Sequence, residues 1–293
     1  KKKRVNMIRN ISVGIDIGTH STKVVVGEFV KGEKNPKILG IGECPTEGMR
    51  HGYVVSSSLV TASIEKAVGQ AEKLSGIRIR RAYIAIGGVT LRGSIAPGVA
   101  IVSKADGEVT ILDVNKALEE CEESISLGNK KVIQVSPVAF RLDAKEVLGR
   151  PEGMHGNKLE ARAMVVTVSN QHLDELVGAI ADAGITPIDL IVSPLAASTI
   201  CLSEKQKIVG SALVNIGSET VTLSVFENNA LIALHTFSIG SSDITNDVAL
   251  GLKITLEEAE SLKLGATNHE YSKKKLDEII EARYSDIFEL IEN

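Results

Sequence analysis

The chain has 293 residues, of which 43% are hydrophobic and 24% are charged, a balance typical of a folded globular protein with two or more domains. Its formal net charge of −4 and its aromatic content of 3% argue against nucleic-acid binding, because they provide neither a basic surface nor stacking rings. The cysteines at 44, 121 and 201 lack the spacing of a metal site or a disulfide framework, which favours a reducing, cytoplasmic setting. No apolar run reaches the length of about 18 residues that a membrane-spanning helix needs.

Residues 1–88 are predicted to form the first part of an α/β domain. Three segments rich in valine and isoleucine predict strands, an amphipathic segment ending at Gly76 predicts a helix, and a further strand follows. In chain order, these segments are ISVGIDIG, TKVVVGEFV, PKILGIGECP, SSLVTASIEKAVGQAEKLSG and RRAYIAIGG. Their order predicts a mixed sheet covered by helices.

The rest of the chain divides into four predicted parts. Residues 89–186 are predicted to be an inserted α+β subdomain, because short strands alternate there with helical segments. Residues 187–208 return to the first domain and supply a connecting helix. Residues 209–240 carry the strands of a second domain, and residues 241–293 are predicted to form an incomplete helical subdomain.

One motif occurs twice: DIGTHSTK at residues 16–23 returns as NIGSETVT at residues 215–222. A strand that turns at Gly, Ser or Thr presents backbone N–H groups and hydroxyls to one point, which suits a phosphate. A single turn of this kind is weak support, because the same residues form many ordinary turns. Two copies facing each other predict one cleft that grips a polyphosphate, with Lys23 adding positive charge and Asp16 able to hold a hydrated magnesium ion.

These hairpins resemble the two phosphate motifs of the superfamily of actin, sugar kinases and heat-shock-chaperone ATPases. Further segments resemble the FtsA family of bacterial cell-division proteins, and they cover nearly the whole chain. They are GIGECPTEGMRHGYVVSS, RAYIAIGG, DLIVSPLAAS, HTFSIGSSDITNDVALGLKITLEEAESLK and IIEARYSDIFELI. The resemblance implies an actin-like α/β fold of two ribonuclease H-like domains around a cleft, with an α+β insertion in the first.

The same resemblance implies ATP and Mg²⁺ as cofactors and assigns roles to individual residues. Asp16 would position the metal, with Asn215 as its counterpart in the second copy. Residues expected near the phosphates are Gly18, Thr19, Ser21, Lys23, Gly217, Ser218, Thr220 and Gly240. Glu260 and Lys263 would reach the nucleoside. Without the resemblance, that pair would be interpreted as an exposed ion pair worth about 0.2–0.5 kcal/mol.

The second hairpin departs from the family pattern, which is close to DIGGGTTD. Asn215 replaces the leading aspartate and removes a charge that would steady a magnesium shell. Glu219 replaces a glycine, and if it faced the phosphates the repulsion would be about 4 kcal/mol near a protein surface; it could equally point to solvent. Thr222 replaces the closing aspartate. We therefore expect weak or conditional ATP binding, with slow or no hydrolysis.

Partners are also implied by the resemblance. FtsA relatives bind the C-terminal tail of FtsZ on the helical subdomain, where Arg283 could offer its planar fork to a tail carboxylate. The alternative is that Tyr284 and Phe288 belong to the core and Arg283 is a solvated charge. Self-association into filaments and contacts of the insertion with other division proteins are expected as well. Relatives also have a glycine-rich adenosine motif and a terminal amphipathic helix that attaches them to the inner face of the membrane at the division site. Neither is found in these 293 residues, so we expect either a fragment of a longer protein or a naturally shortened form.

Two other functions remain open. An active ATPase or small-molecule kinase of the same superfamily would turn over by closing its domains on the phosphates, although the sequence shows no convincing base for an acceptor substrate. A pilus-assembly actin homologue would share the hairpins, but it should lack the RHGYVV and DITND segments.

Overall fold

The computed structural model describes residues 10–33, 35–266 and 271–292. It divides into two compact units. The first unit comprises the chain up to Gly87 together with Gln171–Ala196, and the second comprises Gly88–Asn170 together with the chain from Ala197 onward. None of the helices in these described ranges is long and apolar enough to cross a membrane.

The first unit contains a five-stranded sheet in the order β11-β6-β1-β2-β3. The strands are β1 (Asn10–Ile17), β2 (Ser21–Phe29), β3 (Lys37–Pro45), β6 (Arg81–Ile86) and β11 (Thr186–Val192). Strands β1, β2 and β3 are antiparallel neighbours, whereas β6 pairs in parallel with β1 and β11. This is the mixed sheet that the order of the sequence segments predicts. A separate ribbon pairs β4 (Met49–Arg50) with β5 (Tyr53–Val54).

Helices of the first unit are α1 (Ser57–Ser75), α3 (Asn170–Asp182) and the start of α4 (Ser193–Cys201). Helix α1 buries an apolar face that includes Val60, Ile64 and Ala67. It lies directly on β3, because a Cβ atom added to Gly42 would come within 1.8 Å of the Ala67 carbonyl oxygen. The helix ends at Gly76, whose φ of 68° places it in the left-handed conformation that glycine tolerates best.

The insertion forms a four-stranded antiparallel sheet in the order β7-β10-β8-β9, with one helix. Its elements are β7 (Arg92–Ile101), α2 (Ile111–Glu123), β8 (Lys130–Leu142), β9 (Lys145–Val147) and β10 (Lys158–Ser169). Its core joins Val114 and Cys121 of α2 to Phe140 and Leu159 of the sheet. The α+β composition is the predicted one, but the predicted range of residues 89–186 also includes α3, most of which belongs to the first unit.

The second unit also contains a three-stranded antiparallel sheet in the order β12-β13-β14. Its elements are β12 (Ser211–Ile216), β13 (Val221–Glu227), β14 (Ala230–Phe237), α5 (Glu204–Val209), α6 (Ser241–Leu252), α7 (Leu256–Lys263) and α8 (Lys273–Glu292). Ile244 and Val248 of α6 pack with Ala259 of α7 and with Ile279 of α8. This packing holds the three helices together.

Candidate functional site

The two hairpins share one backbone design. The Gly18 N–H donates to the Ser21 carbonyl oxygen at 3.1 Å, and the Gly217 N–H donates to the Thr220 carbonyl oxygen at 2.8 Å. The register is also the same, because Asp16 lies opposite Lys23 just as Asn215 lies opposite Thr222. The repeat in the sequence is therefore a repeat in the structure.

Charge distinguishes the two copies. In the first, Asp16, Lys23 and Glu43 lie side by side across three strands. The Lys23 Nζ is 3.6 Å from the Glu43 Oε1, and both side chains are more than half exposed. The equivalent row of the second copy is neutral and consists of Asn215, Thr222 and Thr236. Only the first hairpin therefore has charged side chains in this row.

Asp16 is the carboxylate that the sequence predicts as a magnesium contact. Its side chain lies on the exposed face of β1, beside Lys23 of β2. Desolvation by the surrounding chain raises the pKa of Asp16, and the positive charge of Lys23 offsets part of that rise. Asp16 therefore takes up a proton at a higher pH than an ordinary aspartate does.

Thr19 lies in the first turn and is held by a neighbouring segment. Its Oγ1 accepts a hydrogen bond from the Gly52 N–H at 2.8 Å. Gly18 is closely packed, since an added Cβ atom would lie 3.1 Å from the Ser21 carbonyl oxygen. The four predicted phosphate contacts of this copy, Gly18, Thr19, Ser21 and Lys23, thus belong to one tight hairpin.

The second hairpin is joined to the start of α6. The N–H groups of Ser241 and Ser242 donate to the carbonyl oxygens of Gly217 and Ser218, at 2.9 and 2.7 Å. The hydroxyls of Ser218 and Ser242 are also 2.7 Å apart. A Cβ atom at Gly240 would come within 2.4 Å of the Ser218 carbonyl oxygen, so this close approach requires glycine. The turn of the second hairpin is therefore firmly attached to the start of α6. Glu219, which follows Ser218 in this turn, is half-buried.

Helix α7 adds the predicted nucleoside pair to the same cluster. The Lys263 Nζ donates to the Ser241 carbonyl oxygen at 3.1 Å and to the Thr245 Oγ1 at 2.9 Å, and it lies 2.6 Å from the Glu260 Oε2. The Thr245 hydroxyl donates to the same carboxylate. The Lys263 side chain is only 14% exposed, whereas that of Glu260 is 37% exposed. The pair is therefore not a solvated ion pair; the ammonium fixes the helices and the carboxylate is the more accessible partner.

Residues far apart in sequence thus meet within the second unit. The predicted ones are Gly217, Ser218, Gly240, Glu260 and Lys263. Sequence reasoning missed Ser241, Ser242 and Thr245, which connect them. The run SSDIT contained a signal, because hydroxyl side chains in the first turns of a helix that follows a glycine are placed to contact the preceding loop.

Two family models match the chain. Residues 212–287 match the model described as cell division protein FtsA, and residues 90–167 match the SHS2 domain inserted in FtsA. The chain belongs to the FtsA family. It therefore has the predicted actin-like α/β fold, with the FtsA-type insertion.

Known proteins of the FtsA family resemble it over most of its length. It is 33% identical to the cell division protein FtsA of Bacillus subtilis over 92% of this chain, and it spans 61% of that protein. It is 28% identical to the FtsA of Pseudomonas aeruginosa over 96% of this chain, and it spans 72% of that protein. The solved structure of a PilM-PilN type IV pilus biogenesis complex is also similar, with a TM-score of 0.69. The match covers 96% of this chain and 75% of the chain in that complex. At 17% sequence identity it shows likeness of fold alone.

Arg283 lies on α8 and is ion-paired within the chain. The family resemblance predicts that this residue contacts a partner. Its Nε and Nη2 donate to the two carboxylate oxygens of Asp247, at 2.6 and 3.1 Å, and its Nη1 is 3.3 Å from Asp286. The hydrogen bonds to Asp247 raise the pKa of Arg283, so it stays charged. Tyr284 and Phe288 are 39% and 49% exposed. The alternative of a core position for these two rings beside a solvated Arg283 is therefore wrong.

Proposed function

We propose that the chain is an FtsA-type adaptor that binds ATP with Mg²⁺ weakly and assembles with other division proteins. The observation that carries the proposal is the matched pair of hairpins, which have the same turn hydrogen bond and the same register. Backbone N–H groups concentrated in such turns suit phosphate oxygens. In the proposal, the turn of each hairpin offers its backbone N–H groups to phosphate oxygens, and the α6–α7 cluster receives the nucleoside.

The residues fit such a ligand. Lys23 supplies an exposed cation for the phosphates, and Asp16 supplies a carboxylate for magnesium. Within the described ranges, no group of three or more His, Cys, Asp and Glu residues comes together as a metal cage. Mg²⁺ at nucleotide sites is held mainly by water and phosphate oxygens with one or two carboxylates, so Asp16 suffices. Glu260 is positioned to accept hydrogen bonds from ribose hydroxyls.

The neutral row of Asn215, Thr222 and Thr236 in the second hairpin favours an adaptor over an active ATPase or kinase. A catalyst of phosphoryl transfer relies on precisely held metal and charge around the transferred group. Asn215 and Thr222 provide no charge on the second side, and Glu219 adds a negative one to the turn. We therefore expect binding with slow or no turnover. The pilus-assembly alternative rests on likeness of fold alone.

The proposed partners follow from the helical subdomain and the insertion. The FtsZ tail would dock beside α8, where Arg283 and the exposed rings of Tyr284 and Phe288 offer a charged and an apolar contact. The insertion exposes Ile95, Val99 and Ile101 along β7, a surface suited to other division proteins or to a second copy in a filament. Attachment to the inner face of the membrane at the division site would use a terminal amphipathic helix, as the family resemblance implies.

Titration calorimetry with Mg-ATP tests the nucleotide site. Lys23→Ala should weaken binding about tenfold or more, because it removes a charged hydrogen-bond donor worth roughly 1.5–3 kcal/mol. Lys66→Ala is the matched control, since Lys66 is an exposed lysine on α1. Equal affinity in the wild type and Lys23→Ala would remove Lys23 from the site, and absence of Mg-ATP binding by the wild type would end the nucleotide proposal.

A further inference from the structure

A hydrogen bond joins the turn between β4 and β5 to the first hairpin. The Gly52 N–H donates to the Thr19 Oγ1 at 2.8 Å. A threonine hydroxyl can accept and donate at once, so this bond uses a lone pair and leaves the hydroxyl proton for another acceptor. The bond also fixes the side chain of Thr19. Gly52 therefore orients a donor that is suited to a phosphate oxygen.

The next residue of the same turn contacts α3. The Tyr53 ring lies 5.0 Å from the imidazole of His172, at an interplanar angle of 49°. His172 is only 1% exposed, so its imidazole is shielded from water. Glu175, a turn further along α3, is close enough for its carboxylate to interact with the imidazole. The Tyr53 ring therefore packs against a buried side chain near the start of α3.

The ribbon formed by β4 and β5 has little support of its own. It consists of two residue pairs, and within the described residues its strands pair with no others. Two-stranded ribbons of this size are marginal in isolation. At its turn, His51 and Gly52 have φ values of 49° and 73°, so the turn has a fixed, left-handed shape. A displacement at Gly52 must therefore also move Tyr53.

His172 lies close to the point where the chain leaves the insertion. Strand β10 of the insertion ends at Ser169, and α3 begins at Asn170. The chain thus leaves the insertion just before the residue on which Tyr53 packs. Contacts of the ribbon reach the phosphate turn through Gly52 and the exit of the insertion through Tyr53.

We propose that the β4–β5 ribbon couples the ligand state of Thr19 to the start of α3. In this coupling, Gly52 is a positioning residue for the Thr19 hydroxyl, and Tyr53 transmits the displacement to His172. The inference rests on the proposed phosphate role of the first hairpin, but the structural coupling can be measured without a nucleotide.

Hydrogen exchange followed by mass spectrometry provides the nucleotide-free experiment. Thr19→Val keeps the shape of the side chain and removes the acceptor of the Gly52 N–H. Exchange should accelerate several-fold in peptides covering residues 49–54 and 170–176, since one hydrogen bond is worth about 1 kcal/mol, or roughly fivefold. Thr46→Val is the matched control, because the Thr46 hydroxyl bonds instead to Thr22, at 2.8 Å. Unchanged exchange at 170–176 in Thr19→Val would overturn the coupling.

Adding Mg-ATP tests whether a ligand at Thr19 changes the start of α3. In the wild type, exchange should slow in both peptides, whereas in Tyr53→Leu it should slow only at 49–54. Tyr53→Phe retains the ring and should behave as the wild type. Equal slowing at 170–176 in Tyr53→Leu and the wild type would refute transmission through Tyr53. Acceleration in Thr19→Val without any Mg-ATP binding would instead refute the nucleotide site and leave the coupling standing.

Discussion

Asp16 and Asn215 occupy equivalent positions in two copies of one turn, but only Asp16 brings a charge. The difference extends along the row, because Lys23 and Glu43 are charged whereas Thr222 and Thr236 bond to each other, with their hydroxyls 3.3 Å apart. A neutral row costs less to bury than a charged one. The second copy therefore has the same turn without the charges that the proposed site would use to attract a metal-bound phosphate.

Restoring charge to the second copy should strengthen nucleotide binding. The double variant Asn215→Asp, Glu219→Gly adds a possible magnesium contact and removes a negative charge from the turn. We expect Mg-ATP affinity by calorimetry to rise about tenfold, as for one charged hydrogen bond, and the gain to vanish when EDTA removes the metal. Asn228→Asp, in the turn between β13 and β14, is a matched control. A gain that persisted in EDTA would contradict the metal explanation.

Arg283 should contribute to binding of an FtsZ tail peptide. Its guanidinium bonds to Asp247 through two nitrogens, so a tail carboxylate must share or replace that contact. We expect Arg283→Ala to weaken binding by about 1–2 kcal/mol, as for a charged hydrogen bond, and added salt to weaken wild-type binding. Lys274→Ala, an exposed cation on the same helix, should have little effect. Fluorescence anisotropy of a labelled tail peptide measures both, and indifference to Arg283→Ala and to salt would place the site elsewhere.

At the scale of elements, the start of α2 shows how one carboxylate fixes a helix. Thr110 and Asp113 form a reciprocal capping box, and the Ser103 N–H donates to the Asp113 Oδ1 at 2.9 Å. Burial would raise the pKa of Asp113, but the hydrogen bonds from Thr110 and Ser103 prevail and lower it to about 2. The ionised form is therefore the one that stabilises the insertion.

This pKa predicts how the insertion responds to acid. Because the pKa of Asp113 in the folded chain lies below its ordinary value of 3.8, its contribution is complete above pH 3.8 and is lost as the pH falls towards about 2. Asp113→Asn should lower the free energy of unfolding by roughly 1–3 kcal/mol at neutral pH, with a smaller difference from the wild type in acid. Thermal melts followed by circular dichroism measure this, with the exposed Asp174→Asn as control. A pH-independent difference would contradict the ionic mechanism.

Local elements could be predicted from the sequence, whereas tertiary contacts could not. The hairpins follow from a strand, a glycine and a second strand, and the structure has them with one register in both copies. By contrast, Glu260 and Lys263 alone resemble a surface ion pair. Their contact with Thr245 and Ser241 depends on how α7 packs on α6, which no local pattern specifies. The contact of Gly52 with Thr19 also joins segments that give no sign of each other in the sequence.

For the whole molecule, the two unequal hairpins predict a nucleotide-binding protein that turns over slowly. With saturating Mg-ATP, phosphate release should stay far below the typical enzyme rate of about 10 per second. The charge-restored variant Asn215→Asp, Glu219→Gly is the informative comparison, because it changes the second copy alone. A coupled phosphate-release assay measures both, and brisk release by the wild type would favour the active ATPase instead.

The position of β12 has a practical consequence for handling the protein. Within the described residues β12 pairs only with β13, so its other side presents unpaired backbone groups, and its Leu213 and Val214 are half-buried. Its counterpart β1 is flanked on both sides, and Ile15 is 1% exposed there. An unprotected strand of this kind is a template for another extended chain. We therefore expect the chain to associate through this edge more strongly as its concentration rises, so dilute solutions should keep it dispersed.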